Sequence, residues 1–370
     1  MTLPKPSSDK RQALHHAQSQ YRIRRYRHEL QQLFWECTLR CNLHCLHCGS
    51  DCRTVSETKD MPLEDFLPVL DDVRTVMDPR RILVITTGGE PLVRPDICEC
   101  GKAIRERGFH WGMVSNGMLL DERMCNRLME SGLETIAISM DGFEQDHNWL
   151  RENPESFASA ENAVKNLVDK NITWDVITCV HQKNLGYLPE FKRYLLSIGV
   201  RQWRLFCIAP MGRAAHHPEL QLHRKQFREM LEFIADTRKT GDMQVSYSCE
   251  GFLGGFELEV RDYPFFCQSG INVASILTDG AISGCLSIRS NFHQGNIYKD
   301  KFSEVWASRF ENMRNREWMH TGACAECDVW QYCQGNGMHL RDEDGKLMRC
   351  HYLAILPTSN TLYPALFTLL

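Results

Sequence analysis

Three cysteines, Cys41, Cys45 and Cys48, stand in the run Trp35-Glu-Cys-Thr-Leu-Arg-Cys-Asn-Leu-His-Cys-Leu-His-Cys48. Their gaps of three and two residues are too short for a disulfide framework. They suit a loop that turns its thiolates toward one metal centre. Three thiolates can hold three irons of a four-iron, four-sulfur cube, whereas an ordinary electron-transfer cluster takes four Cys ligands. The fourth iron is then free for a substrate or cofactor. A structural zinc loop is the competing reading, although zinc pairs normally read C-x2-4-C with a second pair nearby. Cys37 and Cys52 flank the triad, but most unpaired buried cysteines simply pack.

Other residues stand where apolar runs end. Gly88-Gly89-Glu90-Pro91 follows Arg81 to Thr87. Glycines there let a backbone approach a ligand closely, and Glu90 with the bare backbone could take an amino group; an ordinary Gly-Pro turn is the alternative. Ser115-Asn116-Gly117 and Ser139-Met140-Asp141-Gly142 end two later runs. Arg151 closes the stretch from Asp146, where an exposed helix-start ion pair is the plainer reading. His47 directly precedes the last cysteine of the triad. A second group lies downstream: Cys267, then Gly280 and Cys285, then Cys324-Ala-Glu-Cys327, Cys333 and Cys350. Cys324, Cys327, Cys333 and Cys350 alone could satisfy tetrahedral zinc.

The first set resembles the radical SAM superfamily. The triad matches its CxxxCxxC signature, whose free iron chelates S-adenosylmethionine. Gly88 to Pro91 matches GGEP, which holds the cofactor's methionine amine. Ser139 and Asp141 resemble the family's SxDG stretch near the ribose, with Ser115 and Asn116 ending the strand before it. Arg151 is similar to the arginine that pairs with the cofactor carboxylate in related maturases. His47 occupies the place of an aromatic that lies against the adenine. The second set resembles the SPASM extension, C-x9-15-G-x4-C then C-x2-C-x5-C-x3-C then a final C. By position, Cys324, Cys327, Cys333 and Cys350 hold one auxiliary cluster. Cys267 and Cys285 belong to another, whose remaining cysteine is replaced by Gly337. Cys249 is the reserve ligand upstream, and that cluster is expected to keep an iron open to a substrate thiolate or amide. Leu286 stands where the similar sulfatase-maturing enzymes carry an aspartate base; a leucine cannot take a proton, so formylglycine formation is disfavoured. The opening stretch through Cys52 looks like a subgroup tied to peptide or lipoprotein systems. The resemblance therefore implies one S-adenosylmethionine-binding 4Fe–4S cluster, one or two auxiliary clusters, and hydrogen abstraction from a peptide or protein, giving a crosslink, epimerisation or dehydrogenation. A reducing partner such as flavodoxin or ferredoxin is implied. A small molecule, such as a porphyrin precursor or sugar, is the alternative substrate, and a non-enzymatic cluster or zinc scaffold is the third reading.

These residues need a scaffold that gathers strand ends. Apolar runs at 33–36, 81–87, 111–115, 135–139, 174–179 and 203–208 alternate with amphipathic helical patterns, which predicts about six β/α units and a parallel sheet. Such sheets carry their chemistry at the C-terminal ends of the strands. The expected fold is α/β: a partial (β/α)6 TIM-like barrel over 31–212, a bridging region over 213–262 and a SPASM-type cysteine-rich domain over 263–370. Residues 1–30 read as a basic, weakly helical leader whose charges form a solvated face rather than a binding arm. A hairpin is expected within 271–288, turning at Asp279-Gly280. In 370 residues, 43% apolar, with a formal charge of −4 and 17 cysteines, nothing points to nucleic acid. The absence of a secretory pattern in the first thirty residues, with an odd number of thiols, predicts a reducing, cytoplasmic setting. No membrane span is expected, because Pro357 and Pro364 interrupt the apolar C-terminal stretch.

Overall fold

The computed structural model describes residues 8–248, 250–288 and 290–356. Cys249 and the apolar stretch beyond 356, with its expected surface docking, lie outside the described residues.

The alternation read from the chain becomes β1 (Gln32–Thr38), β2 (Leu83–Gly88), β3 (His110–Ser115), β4 (Thr135–Ser139), β5 (Thr173–Val180) and β6 (Gln202–Cys207). Before β1 runs α1 (Ser8–Arg27), and between the strands lie α2 (Leu63–Val76), α3 (Ile97–Glu106), α4 (Glu122–Glu130), α5 (Glu144–Arg151), α6 (Ser156–Leu167) and α7 (Leu188–Ser197). Each strand pairs in parallel with the next. The sheet then goes further than six units. After α8 (Arg224–Thr240), β7 (Gln244–Tyr247) adds a seventh parallel strand beside β6. Residues 213–262 are thus partly barrel rather than only a bridge. The hairpin β8 (Val273–Ile276) and β9 (Ala281–Ser283) turns through Gly280 at φ +84°, as its sequence predicts. β8 also pairs in parallel with β1, and the short β10 (Gly295–Asn296) closes a ten-stranded sheet of order 10-9-8-1-2-3-4-5-6-7. The rest of the tail carries α9 (Phe302–Ser308), α10 (Glu311–Arg314), α11 (Trp330–Cys333) and α12 (His351–Ile355).

Strand side chains alternate between two faces. One face carries Trp35, Trp111 and Trp203, all fully buried against helices. Trp35 stacks on Phe66 of α2 with ring centroids 4.2 Å apart. The indole N–H groups of Trp111 and Trp203 donate to Thr86 and Thr178 on neighbouring strands at 3.2 and 2.8 Å, so each large ring is buried with its polar handle satisfied. The opposite face curls around a cavity of about 610 Å³ lined by Phe34, Ile85, Ala137, Asp175, Arg204 and Ser246, among others. It reaches the first residues of the strands, such as Gln32, Leu83 and Gln202, and so opens at the end away from the cysteine triad.

The basic leader is a docked helix. Leu14 of α1, 1% exposed, is buried with Phe252, Phe265 and Cys333. Tyr21 stacks on Phe266 with centroids 4.2 Å apart, Gln18 donates to the Tyr332 carbonyl, and Lys10 pairs with Glu259 at 2.7 Å. Arg11, Arg22, Arg24 and Arg27 mark the outer face, where Tyr26 is 87% exposed, while Arg25 turns inward with its Nε buried. Leu14→Ala is therefore expected to cost ~2–5 kcal/mol, the range for a buried leucine, and Tyr26→Ala under about 0.5 kcal/mol. Urea unfolding of the full chain checks both; equal, negligible costs would return α1 to a solvated leader.

Candidate functional site

The parallel pairing of β1 with β2 continues past the strand ends. Gly89 donates its N–H to the Thr38 carbonyl at 2.8 Å and Glu90 to the Arg40 carbonyl at 3.0 Å. A Cβ on Gly88 or Gly89 would sit 2.1 Å from those same two carbonyl oxygens. The close approach that these glycines permit is therefore to the start of the cysteine loop. Gly88 also holds φ +130°, which L side chains rarely adopt.

Glu90, 1% exposed, spends both carboxylate oxygens inside the protein. One accepts from Ser115 Oγ at 2.9 Å and from the Leu92 N–H at 3.1 Å; the other accepts from the Asn116 N–H at 2.7 Å. Burial raises its pKa against these donors. Asn116 then reaches the loop, donating from Nδ2 to Asn42 Oδ1 at 2.8 Å and to Cys41 Sγ at 3.8 Å. Two strand ends and the triad thus form one connected structure. Pro91 opens the short 3-10 turn after Glu90.

The loop is pinned from its far side by a residue the sequence reading passed over. Arg213 donates from its backbone to the Cys48 carbonyl at 3.0 Å, from Nε to the Cys45 carbonyl at 2.8 Å, and from Nη1 to Asp51 at 2.6 Å. Its only signal is the Gly212-Arg213 step after β6, at the boundary drawn between barrel and bridge. Cys52 lies beside the triad, its N–H 3.4 Å from Cys48 Sγ. The Cys52 hydrogen bond, against burial, brings the Cys48 thiol down to about 5. Cys37 points away, fully buried with its thiol on the Thr87 carbonyl at 3.4 Å.

Asp141, at the end of β4, pairs with Arg151 of α5 at 2.6 Å, and both are buried. Burial opposes the charge on Asp141, but Arg151 outweighs it and holds the carboxyl well below its ordinary range. Asp141 also accepts from the Cys179 N–H at 2.8 Å. The ligating atoms of His47, Asp141 and Cys179 lie within 4.8 Å of one another. Burial pushes His47 down to about 3, so its imidazole is neutral, and its Nδ1 is buried without a hydrogen-bond partner. An exposed ion pair at Arg151 is ruled out by this burial. Ser139, 8% exposed, is the last residue of β4, two positions before Asp141.

In the tail, Cys324, Cys333 and Cys350 are buried and Cys327 is partly so, all as free thiols. Cys333 is raised by burial first and then by the charges of Cys350, Cys324 and Cys327, which places the four together. Cys267 behaves differently. Burial opposes its thiolate, yet Arg316 and the backbone N–H groups of Met338 and Ser269 favour it and lower its pKa. Gly284, beside Cys285, abuts Ser269: a Cβ there would lie 2.3 Å from the serine oxygen.

The donor chemistry fits iron–sulfur clusters. No triad or tail cysteine among the described residues is in a disulfide. A single tetrahedral ion with Zn–S bonds near 2.3 Å would bring thiolates to under about 4 Å from one another. Among the described residues neither set of cysteines forms a group within 4.8 Å; the two groups that do are His47–Asp141–Cys179 and Cys207–Glu250–His351. The wider spacing suits a cube.

The buried ion pair generates a test. Arg151→Met leaves Asp141 charged and unpaired in the interior, and is expected to cost ~3–5 kcal/mol; adding Asp141→Asn should recover much of it. Because the folded carboxyl titrates below the unfolded one, the pair's contribution should be full at neutral pH and fade as pH falls through the acid range. Urea midpoints of wild type, single and double variants at pH 7 and pH 4 measure this. Equal costs for the single and the double variant would show that the two side chains are uncoupled.

Comparison with known proteins follows the same division. Residues 35–195 match the Radical SAM superfamily and residues 267–328 the SPASM iron-sulfur cluster-binding domain. An AdoMet-dependent heme synthase of Nitratidesulfovibrio vulgaris is 25% identical over 84% of this chain and 90% of its own length. The mycofactocin maturase MftC of Mycolicibacterium smegmatis is 29% identical over 83% of this chain and 77% of its own. Among solved structures, anSMEcpe with bound AdoMet superposes with a TM-score of 0.66 at 19% identity, covering 85% of this chain and 90% of that one. Streptococcus suis SuiB bound to S-adenosylmethionine does so with a TM-score of 0.66 at 14% identity, covering 91% and 80%. The chain thus carries a radical SAM domain over residues 35–195 and a SPASM iron-sulfur cluster-binding domain over residues 267–328.

Proposed function

We propose that this chain is a radical SAM enzyme that abstracts hydrogen from a peptide or protein substrate and so modifies it after translation. The observation that carries the chemistry is the Glu90–Ser115–Asn116 network ending on Cys41, with the Asn116 amide 3.8 Å from the thiol. It ties the GGEP turn and the next strand end to the cysteine loop. When bound, the cluster and S-adenosylmethionine supply one-electron cleavage to methionine and a 5′-deoxyadenosyl radical; the protein's part is to orient and to exclude water.

In this reading Cys41, Cys45 and Cys48 hold the cluster. Glu90 is a positioning residue that fixes Ser115 and Asn116. The Gly88–Glu90 backbone, Ser139 and Asp141 line the place for the cofactor's amine and ribose, and His47 offers a neutral ring face to the adenine. Arg151 is the partner for a carboxylate, and its charge is shared with Asp141. Cys324, Cys327, Cys333 and Cys350 hold an auxiliary cluster. Support for a peptide substrate comes from the likeness to MftC, which is named a maturase, and from SuiB, whose structure is known bound to the precursor peptide SuiA. Flavodoxin or ferredoxin is the proposed electron source and the cytoplasm the proposed setting. Among the described residues no helix is long and apolar enough to cross a membrane.

A small-molecule reading rests on a separate observation. The heme synthase match spans 90% of that relative, and an Fe-coproporphyrin III synthase of Methanosarcina barkeri is 24% identical over 82% of both chains. An iron coproporphyrin is its natural test substrate.

Under anaerobic, reducing conditions the full chain should release 5′-deoxyadenosine from S-adenosylmethionine, and the Cys41→Ala, Cys45→Ala, Cys48→Ala triple variant should fall to background. Equal release by the variant would sink the radical mechanism. Mass spectrometry of a peptide encoded beside the gene, co-expressed with the chain, should show a change in mass that the triple variant does not produce. A change confined to Fe-coproporphyrin III would replace the peptide reading by the small-molecule one.

A further inference from the structure

Gly337 stands where the SPASM pattern has a cysteine, and the space its side chain would enter is filled. A Cβ built on Gly337 would lie 2.6 Å from His339 Cε1 and 2.9 Å from His339 Nδ1. The imidazole of His339 occupies the volume of the missing cysteine. Both residues bracket Met338, whose backbone N–H reaches the Cys267 thiol, so this turn faces the same cysteine that the lost ligand would have joined.

The surroundings ask for an anion. Arg316, 4% exposed, has a buried Nη2 without a partner, and Arg25 of α1 has a buried Nε without one. Both guanidinium groups interact electrostatically with Cys267. Arg316 also hydrogen-bonds the Cys267 thiol; buried cationic donors still left unpaired are costly, and a thiolate-ligated cluster is a group that would satisfy them.

We propose that His339 ligates the auxiliary iron–sulfur cluster of Cys267 and Cys285 in place of the cysteine absent at position 337. This rests on the reading that the C-terminal domain holds iron–sulfur clusters. Histidine can replace cysteine on an iron of such a cluster, and exchanging an anionic thiolate for a neutral imidazole raises the reduction potential. The iron expected to be open is then closed at rest, and a substrate thiolate would have to displace an imidazole rather than a water.

The test is pulsed EPR on the reduced, reconstituted full chain without S-adenosylmethionine, alongside iron and sulfide analysis. A directly bound nitrogen should appear as a strong ¹⁴N coupling, changed to the ¹⁵N pattern by ¹⁵N-histidine labelling. It should persist in the Cys41→Ala, Cys45→Ala, Cys48→Ala variant, which keeps only auxiliary iron. It should vanish in His339→Ala. His339→Cys should keep its iron, lose the nitrogen coupling and lower the cluster's midpoint potential; it carries the test if His339→Ala fails to fold or loses the cluster. Both His339 variants should still release 5′-deoxyadenosine, since the first cluster is untouched. Full auxiliary iron with no nitrogen coupling in wild type, or coupling that survives in His339→Cys, overturns the proposal. Absence of auxiliary iron from the triple-alanine variant overturns the parent iron–sulfur reading as well, and the metal analysis separates that failure from the others.

Discussion

The site depends on one run of backbone contact, the parallel ladder of β1 and β2 carried beyond the strands to Gly89 and Glu90. Two carbonyls of the cysteine loop, those of Thr38 and Arg40, accept from that turn at 2.8 and 3.0 Å. There is no room for a Cβ on either glycine. A loop of three cysteines would otherwise be free to wander, because ordering each residue costs about 1–2 kcal/mol of backbone entropy. Sheet hydrogen bonds bear that cost before any metal arrives. The remaining contacts extend this anchor: Glu90 to the end of β3, Asn116 back to Cys41, and Arg213 across the carbonyls of Cys45 and Cys48.

Charge is arranged in the same economical way. At the end of β4, Asp141 keeps its charge in the interior because Arg151 lies 2.6 Å away, and His47 is kept neutral by the burial that Asp141 endures. In the tail, Arg316 and Arg25 bring positive charge to Cys267 from two distant parts of the chain. Low-dielectric surroundings make each of these interactions stronger than at the surface, and make each unpaired group costlier.

The N-terminal helix and the cysteine-rich tail act as one body with the barrel. α1 lies on Phe252, Phe265 and Tyr332, and β8 lies on β1, the strand that leads into the cysteine triad. The two metal-binding regions are thus coupled through a shared sheet rather than a linker. Hydrophobic burial holds this arrangement, since Leu14, Phe252 and Phe265 are each nearly inaccessible to solvent.

Much of this was determined by the chain itself. Cysteine spacing, the Gly-Gly-Glu-Pro turn and the alternating strand runs are local patterns, and local spacing survives any packing; they sufficed for the parallel sheet and for the radical SAM and SPASM domains. The Asp279-Gly280 turn was legible for the same reason, because a positive φ selects glycine. What stayed hidden depends on residues far apart in sequence. The basic charges of α1 concealed an apolar face whose partners lie more than two hundred residues away. β7 is only four residues long, too short for periodicity to distinguish it from a loop. Arg213 is an ordinary arginine until the fold sets it against the carbonyls of Cys45 and Cys48. Gly337 read as a vacancy, and only the tertiary structure placed the ring of His339 in that space, because which side chain fills a buried volume is decided by packing.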